Sequence, residues 1–245
     1  MTRSTATTGE RERKFPTTAW AMISRLQDRS SRRFRDGLED LCLRYWKPVY
    51  HYVRAAWARK GEEAKDLTQA FFLWLIEGDA LTKYRPERGG FRKYLKTILR
   101  HFVGHERRDV GRLKRGGGLR KLSLDESDDL VAALPDLDTL SPEEAFDRVW
   151  VRTLVARAVE RVRRECAREG LAAAFRAYEK YDLVTEPERP SYARLAAECG
   201  VKESRIKGFL YLVREKVRLA IREELSRTTA DLEEFEEEWR ELFRS

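Results

Sequence analysis

The sequence predicts an all-α protein: two small helical domains joined by a flexible linker. Three observations carry that prediction. Apolar residues recur at helical spacing along most of the chain, and no stretch shows the alternation of a half-buried strand. Between residues 116 and 140 the periodicity stops, at Gly116-Gly117-Gly118 and an acidic run. Beyond it, residues 191–206 have the spacing of a tight helical hairpin with a left-handed turn.

Residues 1–14 are polar and aperiodic and are expected to be a disordered tail. Thr17 or Thr18 can cap a helix through Trp20, Ile23 and Leu26. A second helix carries Leu38, Leu41, Cys42, Tyr45 and Trp46, and Pro48 begins or kinks a continuation through Tyr52, Val53 and Trp57. Gly61 breaks the pattern, and the next helix begins at Glu62. The domain boundaries that follow are 15–115, a linker at 116–140, a second domain at 141–226 and an acidic helix at 227–245. Ser141-Pro142-Glu143-Glu144 is a helix start with Ser as N-cap, Pro in the first turn and Glu placed to complete a capping box. Phe146, Val149, Trp150, Leu154 and Val162 mark its apolar face, and Pro187 and Pro190 bound a loop before the last unit.

The 245 residues carry 38% charged side chains, six Trp and eleven Phe, enough for real cores. No apolar run approaches the ~18 residues of a membrane span, and no signal-peptide core is present at the start. Cys42, Cys166 and Cys199 are scattered without a Cys-x-x-Cys, which argues against a disulfide framework or zinc site and fits a reducing, cytoplasmic setting.

The net charge of +8 conceals blocks. Residues 85–120 hold 12 Lys/Arg and 3 Asp/Glu, and residues 202–222 hold 7 and 2. Residues 123–147 hold 9 acids and no base, and residues 231–241 hold 7 acids and 1 base. Two basic blocks on patterned helices point to two nucleic-acid contacts; the alternative is solvated helix faces.

On a helix over 62–77, Leu67, Ala70, Phe71, Trp74 and Leu75 form the expected core stripe. Phe72, Leu73 and Ile76 fall on the far side with Lys65, Asp66 and Gln69. That second apolar face needs a cover, either helix 17–28 or a partner protein, and we favour the partner. On the next helix, Phe91, Tyr94, Leu95, Ile98, Leu99 and Phe102 follow core spacing, so its aromatics are mostly internal. Its other face carries Arg92, Lys93, Lys96, Arg100, His101, His105, Arg107 and Arg108, suited to phosphates. The preceding loop, Tyr84 to Gly90, has an aromatic ring, two arginines and two glycines, which suit an unstacked base. His101 and His105 have a metal-ligand spacing, but no Glu lies between them as in His-Glu-x-x-His and His51 is remote, so no metal is expected.

In 191–206, Ala196 is small where two helices cross, Gly200 supplies the left-handed turn, and Ile206 packs the second helix back on the first. This is a helix-turn-helix. Ile206, Phe209, Leu210, Val213, Val217 and Ile221 face inward, and Ser204, Lys207, Gly208, Tyr211 and Arg218 face outward, toward a major groove.

Asp66-Leu67-Thr68-Gln69-x-x-Phe72, then Arg85-Pro86-x-x-Gly89-x-Phe91-x-x-Tyr94-Leu95-x-x-Ile98, then a linker and a helix-turn-helix, resemble a bacterial RNA polymerase sigma factor of the extracytoplasmic-function (ECF) class, with regions 2 and 4 alone. Thr17-Thr18-x-Trp20, Arg44-Tyr45-Trp46-Lys47-Pro48, Lys114-Arg115-Gly116-Gly117 and the acidic tail resemble the subgroup found in planctomycetes. The resemblance implies core RNA polymerase and promoter DNA as partners. Helix 62–77 would dock on the β′ clamp helices through Asp66 and Gln69, with Phe72, Leu73 and Ile76 beside them. Tyr84, Arg85, Arg88, Arg92, Lys96, Arg100, His101, Arg107 and Arg108 would recognise and melt the minus-ten element. Ser204, Arg205, Lys207, Gly208, Tyr211 and Arg214 would read the minus-thirty-five element, near the β flap. The linker would thread toward the active-site and RNA-exit channels. Control by an anti-sigma factor or a regulatory kinase is left open.

The family's Trp-Leu is Tyr94-Leu95 here. His101 and His105 stand where Asn and Asp are common, and Leu212 where Arg is frequent, so no promoter sequence carries over; Lys207 and Arg214 match.

In the tail, Leu232, Phe235, Trp239, Leu242 and Phe243 form one stripe: either a helix docked on the second domain or an acidic strip over a DNA-binding face. The runner-up function is a stand-alone helix-turn-helix regulator, which has no need of the second apolar face at Phe72, Leu73 and Ile76. No catalytic residue or cofactor is expected, since no paired carboxylates or nucleophile–base set has a convincing context.

Overall fold

The computed structural model describes residues 23, 25–26, 32–57, 61–109, 139–185, 188–229 and 231–243, with the side chains of Trp57 and of residues 106–109 outside the description. The tail at 1–14, the Thr17/Thr18 helix start and nearly all of the linker lie outside these residues. Among the described residues every regular element is helical. The α-helices are α1 (Arg33–Trp57), α2 (Gly61–Glu77), α3 (Ala80–Lys83), α4 (Phe91–Asp109), α5 (Pro142–Arg168), α6 (Ala172–Asp182), α7 (Tyr192–Cys199), α8 (Ile206–Ser226) and α9 (Leu232–Leu242). Short 3-10 turns at Pro86–Arg88 and Glu203–Arg205 precede α4 and α8.

Helix α1 continues without a break through Pro48, so the two expected segments are one element. Pro48 lacks an N–H, and its ring position removes one ladder bond there. Leu41, Tyr45, Val49 and Val53, each four residues apart, are buried along α1. They meet Phe71 and Leu75 of α2 and Phe91, Leu95 and Leu99 of α4 in a first core. Each such side chain contributes about 1.5–3 kcal/mol by leaving water.

Helix α5 starts as the sequence predicts. Ser141 Oγ accepts from the Glu144 N–H at 3.3 Å, and a Glu144 carboxylate oxygen accepts from the Ser141 N–H at 2.9 Å, a complete capping box. Its first half then packs along α1. Phe146, Trp150 and Leu154 enter the first core, whereas Ala158, Val159, Val162 and Cys166 enter a second core. That second core is closed by Ala174, Phe175, Ala177 and Tyr178 of α6, Leu195 and Ala196 of α7, and Ile206, Leu210, Val213 and Val217 of α8. One long apolar stripe on α5 therefore serves both cores. A buried charge cluster ties the same elements together: Glu224 of α8 accepts from Arg44 of α1 at 2.9 Å and lies 3.5 Å from Arg157 of α5.

His51 on α1 is only 5% exposed. Burial, and then the cations Arg54, Lys47 and Arg152, lower its imidazole from 6.5 to about 4. The unfolded chain therefore takes up a proton before the folded chain does. The contribution of His51 to stability is fully present above pH 6.5 and is lost as the pH falls through about 4. The urea midpoint of the native protein is expected to fall more between pH 7 and pH 4.5 than that of His51→Gln. Equal losses in the two proteins would contradict this environment for His51.

Candidate nucleic-acid interface

On α2 the buried residues are Ala64, Leu67, Thr68, Phe71, Phe72 and Leu75. That is an uninterrupted i, i+3, i+4 stripe, turned from the one the sequence suggested. Thr68 can sit inside because its hydroxyl donates to the Ala64 carbonyl at 2.7 Å. Trp74, expected inside, is 41% exposed, with its ring stacked on Phe71 and tilted over Phe102. Phe72, expected on an uncovered face, is 0% exposed and stacks on Trp46 of α1 at 5.4 Å. The cover that the far face required is thus, for Phe72, α1 of the same chain. Asp66 is exposed, and Gln69, Leu73 and Ile76 are half-buried. Their spacing places these four on one side of α2.

Loop 84–90 departs from the expected base-stacking site. Tyr84 is 1% exposed, edge-on to Phe91 at 5.3 Å, and so cannot receive a base. Exposed Arg85 folds back, donating to the carbonyls of Thr82 at 2.7 Å and Tyr84 at 2.9 Å. Arg88 is exposed at the end of the 3-10 turn, and Gly89 adopts φ 117°, a conformation that favours glycine. At Gly90 a Cβ would meet the Glu234 carboxylate at 2.5 Å, and the Gly90 N–H donates to that carboxylate.

Arg92 corrects the sequence reading most sharply. Its side chain is 0% exposed and touches no solvent. It pairs with Asp147 of α5, with Glu238 at 3.3 Å and Glu241 at 3.5 Å of α9, and stacks over the Trp150 ring at 5.2 Å. A guanidinium this enclosed is a structural cation, not a phosphate contact. The basic side of α4 continues in the same style. Lys96 pairs with Asp147 at 2.8 Å, Arg100 with Glu143 at 2.9 Å, and Lys93 with Glu237 at 3.8 Å. His101 and His105 are exposed. The side chains of Arg107 and Arg108 lie outside the described residues. Among the described residues no group of three His, Cys, Asp or Glu is placed to hold a metal ion.

The acidic partners are what sequence reasoning missed. Glu143 and Asp147 are four residues apart on α5, and Glu234, Glu238 and Glu241 follow i, i+4, i+7 on α9. Such spacing beside Phe235, Trp239 and Leu242 signals acids carried inward with an apolar face. Burial raises the Glu238 carboxyl above its usual range, opposed by neighbouring Arg92.

The helix-turn-helix is built as expected. Ser191 caps α7 by accepting from the Arg194 N–H at 3.3 Å, and Gly200 takes φ 66° with its N–H bonded to the end of α7. Ser204 and Arg205 lie in the 3-10 turn before α8 and are exposed, as are Lys207 and Gly208. Arg205 stacks over Phe209 at 5.0 Å. Tyr211 is 68% exposed, and Arg214 makes a two-pronged pair with Asp182 at 2.8 and 2.9 Å. Lys207, Tyr211, Arg214 and Arg218 share one side of α8, a cationic and aromatic strip free of apolar packing duty.

A basic helix opening from a glycine loop, an amphipathic helix before it and a helical hairpin after it make a specific order. The family model described as ECF sigma factor matches residues 48–170. The chain belongs to the ECF sigma factor family. No curated protein and no solved structure matches it. Membership gives this ECF sigma factor a role in transcription initiation, and the family's partners are core RNA polymerase and promoter DNA. The matched residues include α2, loop 84–90, α4 and α5, whereas the helix-turn-helix of this sigma factor lies beyond them and rests on its own geometry. Among the described residues no helix is long and apolar enough to cross a membrane.

Proposed function

We propose that this ECF sigma factor docks on the β′ clamp helices of core RNA polymerase through the Asp66, Gln69, Leu73 and Ile76 side of α2. It reads upstream duplex through α8, and meets the minus-ten element with Arg85, Arg88 and the solvent side of α4. Residues 15–115 then act as the core-binding and minus-ten unit, residues 116–140 as the connection, and residues 141–226 as the minus-thirty-five unit near the β flap. An anti-sigma factor or a kinase is a natural controller of such a subunit.

The observation that carries the reading is the outward strip of α8. Lys207, Tyr211 and Arg218 are exposed on the helix that follows the left-handed Gly200 turn, the position of a recognition helix. Arg214 at the same face is held by Asp182, so it presents a fixed rather than a roaming cation.

Lys207 provides the test. Lys207→Glu is expected to lower promoter-specific transcripts about tenfold, the scale of one lost groove contact. Binding to core enzyme should be unchanged. Run-off transcription and co-elution with core enzyme measure the two effects. Transcription at the native level, or parallel loss of core binding, would overturn the placement of α8 on DNA.

A further inference from the structure

The acidic groups on α4 come from two sources. Asp147 and Glu143 belong to α5, a helix embedded in both cores. Glu234, Glu237, Glu238 and Glu241 belong to α9, the last described helix, joined to α8 through a short turn. Helix α9 touches loop 89–90 and the first turns of α4. The Gly90 N–H donates to Glu234, Arg92 is enclosed by Glu238 and Glu241, and Lys93 faces Glu237.

On its apolar side α9 is anchored at one buried position, with Phe243 half-buried just beyond its end. Phe235 is its only buried large apolar residue, Trp239 and Leu242 are half-buried, and Leu232 is exposed. On the α8 side, Arg222 stacks over Phe235 at 4.9 Å and Trp239 at 5.0 Å. One buried oxygen of Glu238 has no hydrogen-bond partner, a cost borne only while α9 is seated. A helix that meets α4 through carboxylate–cation pairs, with an unmet polar group at its centre, can be displaced from those cations by a competing polyanion.

From this geometry we infer that α9 is an autoinhibitory strap: in the free protein its acids occupy the loop 89–90 and α4 cations, and it must leave that seat for DNA to reach them. The inference rests on the proposed use of α4 and its loop at the minus-ten element. Release would free Lys93 and the Gly90 N–H for the phosphates of a melted strand, while Arg92 would keep its pair with Asp147.

The test uses a random-sequence, fluorescein-labelled single-stranded DNA 20-mer as probe. Three proteins are compared: the full chain, a Glu234→Gln/Glu237→Gln/Glu241→Gln variant that retains Glu238 against Arg92, and a chain ending at Thr229. The Gln variant keeps the apolar seat of α9 and guards against loss of folding in the shortened chain, with circular dichroism checking both. The Gln variant is expected to bind the probe about tenfold more tightly, the gain when a binding-competent state rises from about one tenth to nearly all molecules. Adding Lys93→Glu and Lys96→Glu should abolish that gain. Affinity equal to that of the full chain, or a gain that survives those two substitutions, would overturn the strap. Transcription with core enzyme is measured in parallel. Full-chain transcripts without any affinity gain would sink the strap and leave the proposed function standing, whereas an affinity gain without transcripts would support the strap and sink the function.

Discussion

Arg92→Ala is expected to destabilise the protein by about 3–5 kcal/mol, the cost of removing one partner from a buried charge cluster. The guanidinium is fully enclosed and serves carboxylates on α5 and α9 at once. Its loss leaves Glu238, itself 0% exposed, without its main cation. It also leaves a void beside Trp150. Arg92→Lys should recover only part of the loss, since a single ammonium cannot span separated carboxylates as the planar fork does. Urea unfolding monitored by circular dichroism measures both. If Arg92 were a DNA contact, its removal would leave the urea midpoint unchanged and weaken DNA binding alone.

Phe72→Ala is expected to cost about 3–5 kcal/mol, as for a large aromatic removed from a packed core. The ring stacks on Trp46 and lies edge-on to Phe71, with no exposed surface. Leu73→Ala and Ile76→Ala, at half-buried positions on the adjoining side, should cost clearly less. Their effect is expected in binding to core enzyme, together with Asp66→Ala and Gln69→Ala. The reverse pattern, with Phe72→Ala stable but unable to bind core enzyme, would return Phe72 to the surface and contradict the packing of α2.

These two residues show where the sequence was legible and where it was not. The helices, the capping box at Ser141 and the left-handed Gly200 were readable because each depends on neighbours within a few residues. The buried stripe of α2 is turned from the one the sequence predicts, because Thr68 is inside, its hydroxyl satisfied by the local Ala64 carbonyl. Without Thr68 and Ala64 the apolar stripe rotates toward Trp74, and Phe72 falls outside. The apolar surplus that separated a polymerase subunit from a simple repressor therefore shrinks to Leu73 and Ile76, and family membership now carries that distinction.

Arg92 was unreadable for a different reason. Its partners lie 55, 146 and 149 residues away along the chain. Charge counting sees a basic block and an acidic tail but does not pair them. Helix α9 docks by Phe235, and in docking lays its acids on α4. Only the tertiary arrangement shows which acids meet which bases.

On the proposed function, this chain confers promoter selection on core RNA polymerase. Core enzyme is incubated with a pool of genomic fragments, with and without the full chain, and transcript 5′ ends are mapped. New, discrete start sites are expected to appear with the protein and to depend on Lys207. Strong duplex binding by the free protein with no new start sites would contradict it.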